Sequence, residues 1–304
     1  MSDGHGAGER RLYAIVLRLT AISCLACMSA LVKLAGQRGV DLLEAMFYRQ
    51  LFALPLLVAV IALGPGLSSI RTQRFGAHVS RTALGLAGMS MTFGAVLLLP
   101  LAEATTIGFT VPIFATILSV LILRETAGIH RWGAVIAGFV GVLIVIRPGG
   151  SDLPLFGASV ALGSALAISI ISIMLRQIGR TETALTTVFW FSVLSVPPLA
   201  LALPVVGRVH DPATWALLAA MGTLGGLGQV ALTGSLRWAP VSVVVPFDYV
   251  SLLWATIFGW LLFGMLPAAS TWYGAPLIIA SGLYIVWREH RLHRETTDAA
   301  AAVE

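Results

Sequence analysis

Charge is what this sequence has least of. Asp, Glu, Lys and Arg together make up 11% of its 304 residues, where soluble domains carry about 25%, so no soluble domain fits anywhere in the chain. Cysteine is nearly absent too. Cys24 and Cys27 form a C-x-x-C inside an apolar run, with no second pair and no His nearby in sequence, so they read as small residues packing a helix face rather than a redox or metal site. The motifs of soluble catalysis are also missing. Neither G-x-x-x-x-G-K-[ST] nor H-E-x-x-H occurs, which excludes a built-in ATP motor and a zincin-type hydrolase.

What is present is apolar sequence in long runs, 58% hydrophobic in all. A transmembrane helix needs roughly 20 such residues, and the charges fall at about that interval: 21 uncharged residues separate Arg49 from Arg71, 21 separate Arg81 from Glu103, 20 separate Glu103 from Arg124 and 23 separate Asp152 from Arg176. This punctuation predicts ten spans, at 12–35, 43–63, 78–99, 102–123, 131–147, 155–176, 184–204, 213–235, 240–264 and 271–288, joined by short turns such as Gly64-Pro65-Gly66. The expected fold class is an all-α membrane protein of ten transmembrane helices. The net charge of +5 then reports orientation rather than nucleic-acid binding, because cytoplasmic loops collect Lys and Arg. With the N-terminus inside, Arg10, Arg11, Arg18, Arg71, Arg74, Arg81, Arg124, Arg131, Arg176, Arg180, Arg237, Arg288, Arg291 and Arg294 fall inside, and Lys33, Arg38, Arg147 and Arg208 outside. Both termini are expected in the cytoplasm.

The chain also repeats itself. Gly133–Arg147, GAVIAGFVGVLIVIR, aligns with Gly274–Arg288, GAPLIIASGLYIVWR, at an offset of 141 with six of fifteen positions identical. The competing explanation is chance similarity of apolar sequence; against it, the paired glycines and terminal Arg fall in register with spans drawn independently. Nearby offsets pair Phe47-Tyr48 with Phe189-Trp190 and Lys33 with Arg176. The expected organisation is a cytoplasmic segment at 1–11, a first five-helix repeat at 12–148, a linker at 149–154, a second repeat at 155–288 and a cytoplasmic tail at 289–304. A tandem repeat with an odd number of spans reverses direction through the membrane, and inverted repeats of this kind are characteristic of secondary transporters. The glycine cluster Gly222–Gly228 in the eighth span is the expected place for sliding or bending.

Ten spans, two five-helix repeats, Phe47-Tyr48-Arg49, Arg124-Glu125 after the fourth span and the ending Ser281-Gly282-Leu283-Tyr284-Ile285-Val286-Trp287-Arg288-Glu289 together resemble the EamA family of the drug/metabolite transporter superfamily, over about residues 12–290. The resemblance implies a ten-helix carrier of the bacterial inner membrane that works without ATP and moves amino acids, nucleotide-like metabolites or drugs. Pro246-Phe247-Asp248-Tyr249 and the ending are further similar to a branch containing S-adenosylmethionine and riboflavin carriers. The second repeat departs from the first where Glu125 has no acidic counterpart after the ninth span, which reads Phe263-Gly264-Met265-Leu266-Pro267.

Ionisable residues inside the bilayer are costly and almost always face the bundle or a cavity. Asp248 stands alone: the next charge is Arg288, after 39 uncharged residues. Pro246, two residues before it, removes a backbone donor and frees carbonyls at that depth. The alternatives are a structural hydrogen bond or an interfacial position. Arg49 needs an acidic partner, with Asp248 and Glu103 the candidates, and is read either as a structural ion pair or as a substrate contact; Glu103 otherwise sits as a carboxylate favoured by a helix N-terminus. Tyr48, Trp190 and Tyr249 lie deep enough to line a pocket for a planar or cationic ligand, with core or lipid packing as the alternative. Substrate or proton sites are therefore expected among Asp248, Arg49, Tyr249, Trp190, Tyr48, Pro246 and Glu103, with no enzyme activity, cofactor or metal. The partners are a small-molecule substrate and the lipid bilayer, with protons and a second copy of the chain as further candidates. The competing class is a non-transporting membrane module that handles lipid or stabilises a partner.

Overall fold

The computed structural model describes residues 3–123, 128–148, 153–239 and 241–301, and the side chains of 11–122, 128–148, 153–239, 243–288 and 291. Arg124-Glu125 and most of the expected linker at 149–154 lie outside them. No strand occurs among the described residues. The helices are α1 (Asp3–Gln37), α2 (Leu42–Leu63), α3 (Phe75–Leu98), α4 (Leu101–Gly108), α5 (Val111–Leu123), α6 (Ile129–Ile146), α7 (Leu155–Ile178), α8 (Ala184–Ala200), α9 (Leu203–Val206), α10 (Pro212–Trp238), α11 (Val241–Val244), α12 (Val250–Phe263) and α13 (Ala269–Ala301). Nine stretches of the described residues are long and apolar enough to cross a membrane. The seventh expected span is the short one: α8 holds 17 residues, contains Pro197 and Pro198, and gives way at Leu201 to the single turn of α9, since a proline ring breaks the backbone ladder.

Two of the ten spans are interrupted. The fourth divides into α4 and α5 around Phe109-Thr110, where the Thr110 hydroxyl donates to the Ile107 carbonyl at 2.7 Å, and Pro112 lies just inside α5. The ninth divides into α11, a 3₁₀ turn at Val245–Tyr249 containing Pro246, and α12. An offset of 140 carries both ends of α4–α5 onto the ends of α11–α12, and Phe109 onto Tyr249. Broken backbone at membrane depth is tolerated only where protein or a cavity surrounds it.

Packing follows the same exchange of halves. The first span packs on the eighth (α1 on α10) and the sixth on the third (α7 on α3); the second packs on the seventh (α2 on α8) and the fifth on the tenth (α6 on α13). Close approach is set by glycines. A Cβ on Gly222 would lie 2.6 Å from Phe52 and 2.9 Å from the Tyr48 carbonyl, and one on Gly228 2.9 Å from Leu25, so the Gly222–Gly228 cluster seats α10 against both α2 and α1, and α10 is one continuous helix through it. Between α6 and α13, a Cβ on Gly274 would stand 2.6 Å from the Gly141 carbonyl and one on Gly141 would stand 3.0 Å from the Gly274 carbonyl. Their repeat mates differ. Gly133 has nothing within 4 Å, and Gly282 faces the Tyr249 hydroxyl rather than α6. The fifth and tenth spans therefore pack together along α6, from Gly141 against Gly274 and Ile278 to Gly138 against Ser281, with Ala134 and Val135 in one buried cluster with Ile285, while Gly133 faces open space.

Candidate functional site

Beside this helix pair a cavity of about 570 Å³ opens, lined by residues of α1, α4, α5, α6, α7, α10, α13 and the 3₁₀ turn. Ligand clefts run from about 300 to 1,000 Å³, so the space suits a small metabolite. Arg131, two residues into α6, and Arg176, two residues from the end of α7, mark the mouth. Deeper in, the broken ends of the fourth and ninth spans bring Phe109 and Tyr249 into edge contact, ring centroids 4.7 Å apart. Because these two are repeat mates, their meeting places the interruption on the axis that relates the halves.

Asp248 lines this cavity beside Tyr249. Its two carboxylate oxygens accept from Nε and Nη2 of Arg18, each at 2.5 Å, the bidentate fork that Arg forms best with a planar carboxylate. Both residues line the cavity; the Arg18 side chain is 8% exposed and that of Asp248 31%, so the carboxylate is the more accessible member. The turn carrying it is held by the Ser251 hydroxyl, which donates to the Asp248 carbonyl at 2.6 Å. Pro246 shapes that turn without lining the cavity.

The other residues singled out in the sequence lie elsewhere. Arg49 meets neither Asp248 nor Glu103: buried in α2, it donates through Nη1 to the Gln50 side chain at 2.7 Å. Arg18, counted with the loop charges, is the partner that Asp248 has. Tyr48 packs edge-on against Trp215, 4.9 Å between centroids, and Trp190 donates its Nε1–H to the Ile70 carbonyl at 2.9 Å; neither lines the cavity. Glu103 is buried and ties α4 to the start of α13, accepting from the Ala268 amide at 2.8 Å and the Thr271 hydroxyl at 3.1 Å. Lys33 donates to the Val96 and Leu99 carbonyls at 2.9 and 2.6 Å, so it too is no loop charge. These bonds lie at the end opposite the cavity mouth and close it.

Sequence reasoning missed Arg18, Arg131, Arg176 and the pairing of Phe109 with Tyr249. A signal existed for Arg18, which falls inside the first expected span. For the aromatic pair the signal was an offset of 140 rather than 141, hidden because Pro112 and Pro246 do not align.

Comparison with known proteins assigns the class. The model of the EamA-like transporter family matches residues 12–147 and again 155–287, and the chain belongs to this family. It is 33% identical to a riboflavin transporter of Vibrio cholerae over 75% of this chain and 77% of that one, and 32% identical to a riboflavin transporter of Rhizobium johnstonii over 81% and 80%. An S-adenosylmethionine uptake transporter of Rickettsia conorii is 26% identical over 82% and 84%. A solved crystal structure superimposes with a TM-score of 0.61 at 20% identity, covering 92% of this chain and 98% of its own, and bears on the fold alone. The protein is a multi-pass membrane transporter of small molecules, not an enzyme.

Proposed function

We propose that this chain imports a planar, uncharged heteroaromatic metabolite of the riboflavin type across the bacterial inner membrane by alternating access. The observation that carries the reading is the lining of the cavity. Three arginines, Arg18, Arg131 and Arg176, stand against one carboxylate, Asp248, which is already committed to Arg18. Such a lining repels a sulfonium cation like S-adenosylmethionine and tolerates a neutral flavin. Phe109 and Tyr249 offer ring edges and faces to a planar system, while the Arg18–Asp248 fork offers donors and an acceptor to the polar edge of a flavin ring. The basic residues at the mouth and around the chain termini favour a cytoplasmic position for that end, which makes this the inward-open form. The outward-open form follows by exchanging the conformations of the two halves, which closes the mouth and opens the far end.

Counterflow tests the reading. Purified protein in liposomes preloaded with riboflavin should accelerate entry of labelled riboflavin and leave labelled S-adenosylmethionine unaffected. Acceleration of S-adenosylmethionine instead would reverse the substrate assignment, and acceleration of no metabolite in a broad panel would favour the non-transporting module.

A further inference from the structure

A second polar pocket lies apart from the cavity and shares no lining residue with it. Arg49, Ala53 and Leu57 of α2, Arg81 of α3, Val188, Phe191 and Ser192 of α8, and Gly226 and Gln229 of α10 enclose about 20 Å³, room for one water-sized particle. Its charged lining is all cationic, Arg49 and Arg81. Arg49 is 5% exposed, and its Nε has no partner; the same holds for Nε2 of Gln50 and for Nε and Nη1 of Arg81. Oε1 of the neighbouring Gln50 already takes Nη1 of Arg49 at 2.7 Å and the Ser192 hydroxyl at 3.3 Å, and the other side-chain acceptors here, on Ser192 and Gln229, are neutral. Arg81 lies over the Phe191 ring, 3.9 Å from its centroid, which eases one cation and leaves the other. Among the described residues no carboxylate pairs with either guanidinium.

Guanidinium stays protonated in proteins, and an uncompensated charge taken out of water costs several kcal/mol. Two of them beside one small void demand a negative charge there. Water can fill the void and accept two bonds, but it leaves both positive charges uncompensated. We propose that Arg49 and Arg81 bind a halide ion, chloride in the cell, in this pocket, and that the ion fastens α2 and α3 to α8 and α10. The void is too small for a carboxylate- or phosphate-bearing metabolite, which sets this site apart from substrate binding.

The test is thermal unfolding of the purified full chain in chloride against gluconate, at fixed pH and ionic strength. Chloride and bromide should raise the midpoint saturably, by about 4 °C, and gluconate should not. Gln229→Glu builds an anion into the pocket wall: its midpoint in gluconate should match that of the unchanged chain in chloride, with no response to halide. Arg49→Gln should lose the halide response; if it fails to insert, Gln229→Glu decides. Equal midpoints in chloride and gluconate for the unchanged chain, or an undiminished halide response in Gln229→Glu, would overturn the assignment, the first leaving water in the pocket and the second placing the ion elsewhere.

Discussion

Asp248 and Arg18 form the one polar fork that the cavity reaches, and each is the other's neutralising charge. Asp248→Asn keeps the volume and part of the hydrogen bonding but leaves Arg18 opposite a neutral amide. Because the carboxylate is about a third exposed, the stability cost should be modest, about 1 kcal/mol, and the larger effect should fall on transport. If Asp248 carries a coupling proton, riboflavin exchange in Asp248→Asn should persist while accumulation driven by an imposed pH gradient is lost. Unchanged accumulation would remove Asp248 from coupling. Gly282 is a second test at this scale. A methyl placed on it would lie 2.5 Å from the Tyr249 hydroxyl, the free end of a side chain that can swing away, so Gly282→Ala should fold normally yet weaken riboflavin binding about tenfold or more, measurable by quenching of flavin fluorescence.

Among the helices, the contact of α6 with α13 bears most directly on stability. A side chain on Gly141 meets backbone at 3.0 Å and Ile278 at 2.8 Å, and backbone cannot turn aside, so Gly141→Ala should lower stability by about 1–3 kcal/mol, seen as a lower unfolding midpoint in detergent. α10 is anchored differently. Asp211 caps it by accepting from the Ala213 and Thr214 amides at 3.0 and 3.3 Å and from the Thr214 hydroxyl; the Thr214 hydroxyl bond, then the two amide bonds, hold its carboxyl below the usual value. A depressed folded value means that the cap's contribution is complete above the unfolded pKa and is lost as pH falls through the lower folded one. Amide exchange at Ala213 and Thr214 should accelerate on acidification through that range, and in Asp211→Asn the acceleration should disappear.

For the whole molecule, the number of spans was legible because the bilayer imposes one length on every helix, and charge interrupts apolar sequence at that length. The site was less so. Asp248 announces itself by isolation, whereas Arg18 hides among basic residues that look like a cytoplasmic flank, and no local pattern shows that Trp190 and Tyr48 are spent on the Ile70 carbonyl and Trp215. Only the tertiary packing separates an aromatic that lines a cavity from one that fills a gap. Orientation is testable at this scale. With Cys24 and Cys27 replaced by Ser, an impermeant thiol reagent should label a cysteine beside Asp211 in intact cells and one at position 74 or 180 only after lysis. Labelling of position 180 in intact cells would turn the cavity mouth outward and reverse the proposed direction of access.

Gly141 aligns with Gly282 in the internal repeat, and Gly133 with Gly274, yet their surroundings differ: Gly141 and Gly274 meet each other's backbone, Gly282 faces the Tyr249 hydroxyl, and Gly133 has nothing within 4 Å. Under the proposed alternating access, closure of the mouth would fill the open space beside Gly133, so that movement can be blocked selectively. A bulky residue at Gly133 enters open space here and collides only when the mouth closes, so Gly133→Leu should be a wedge without cost to the present form: undisturbed in its unfolding midpoint, still able to bind riboflavin from the mouth side, and arrested in turnover.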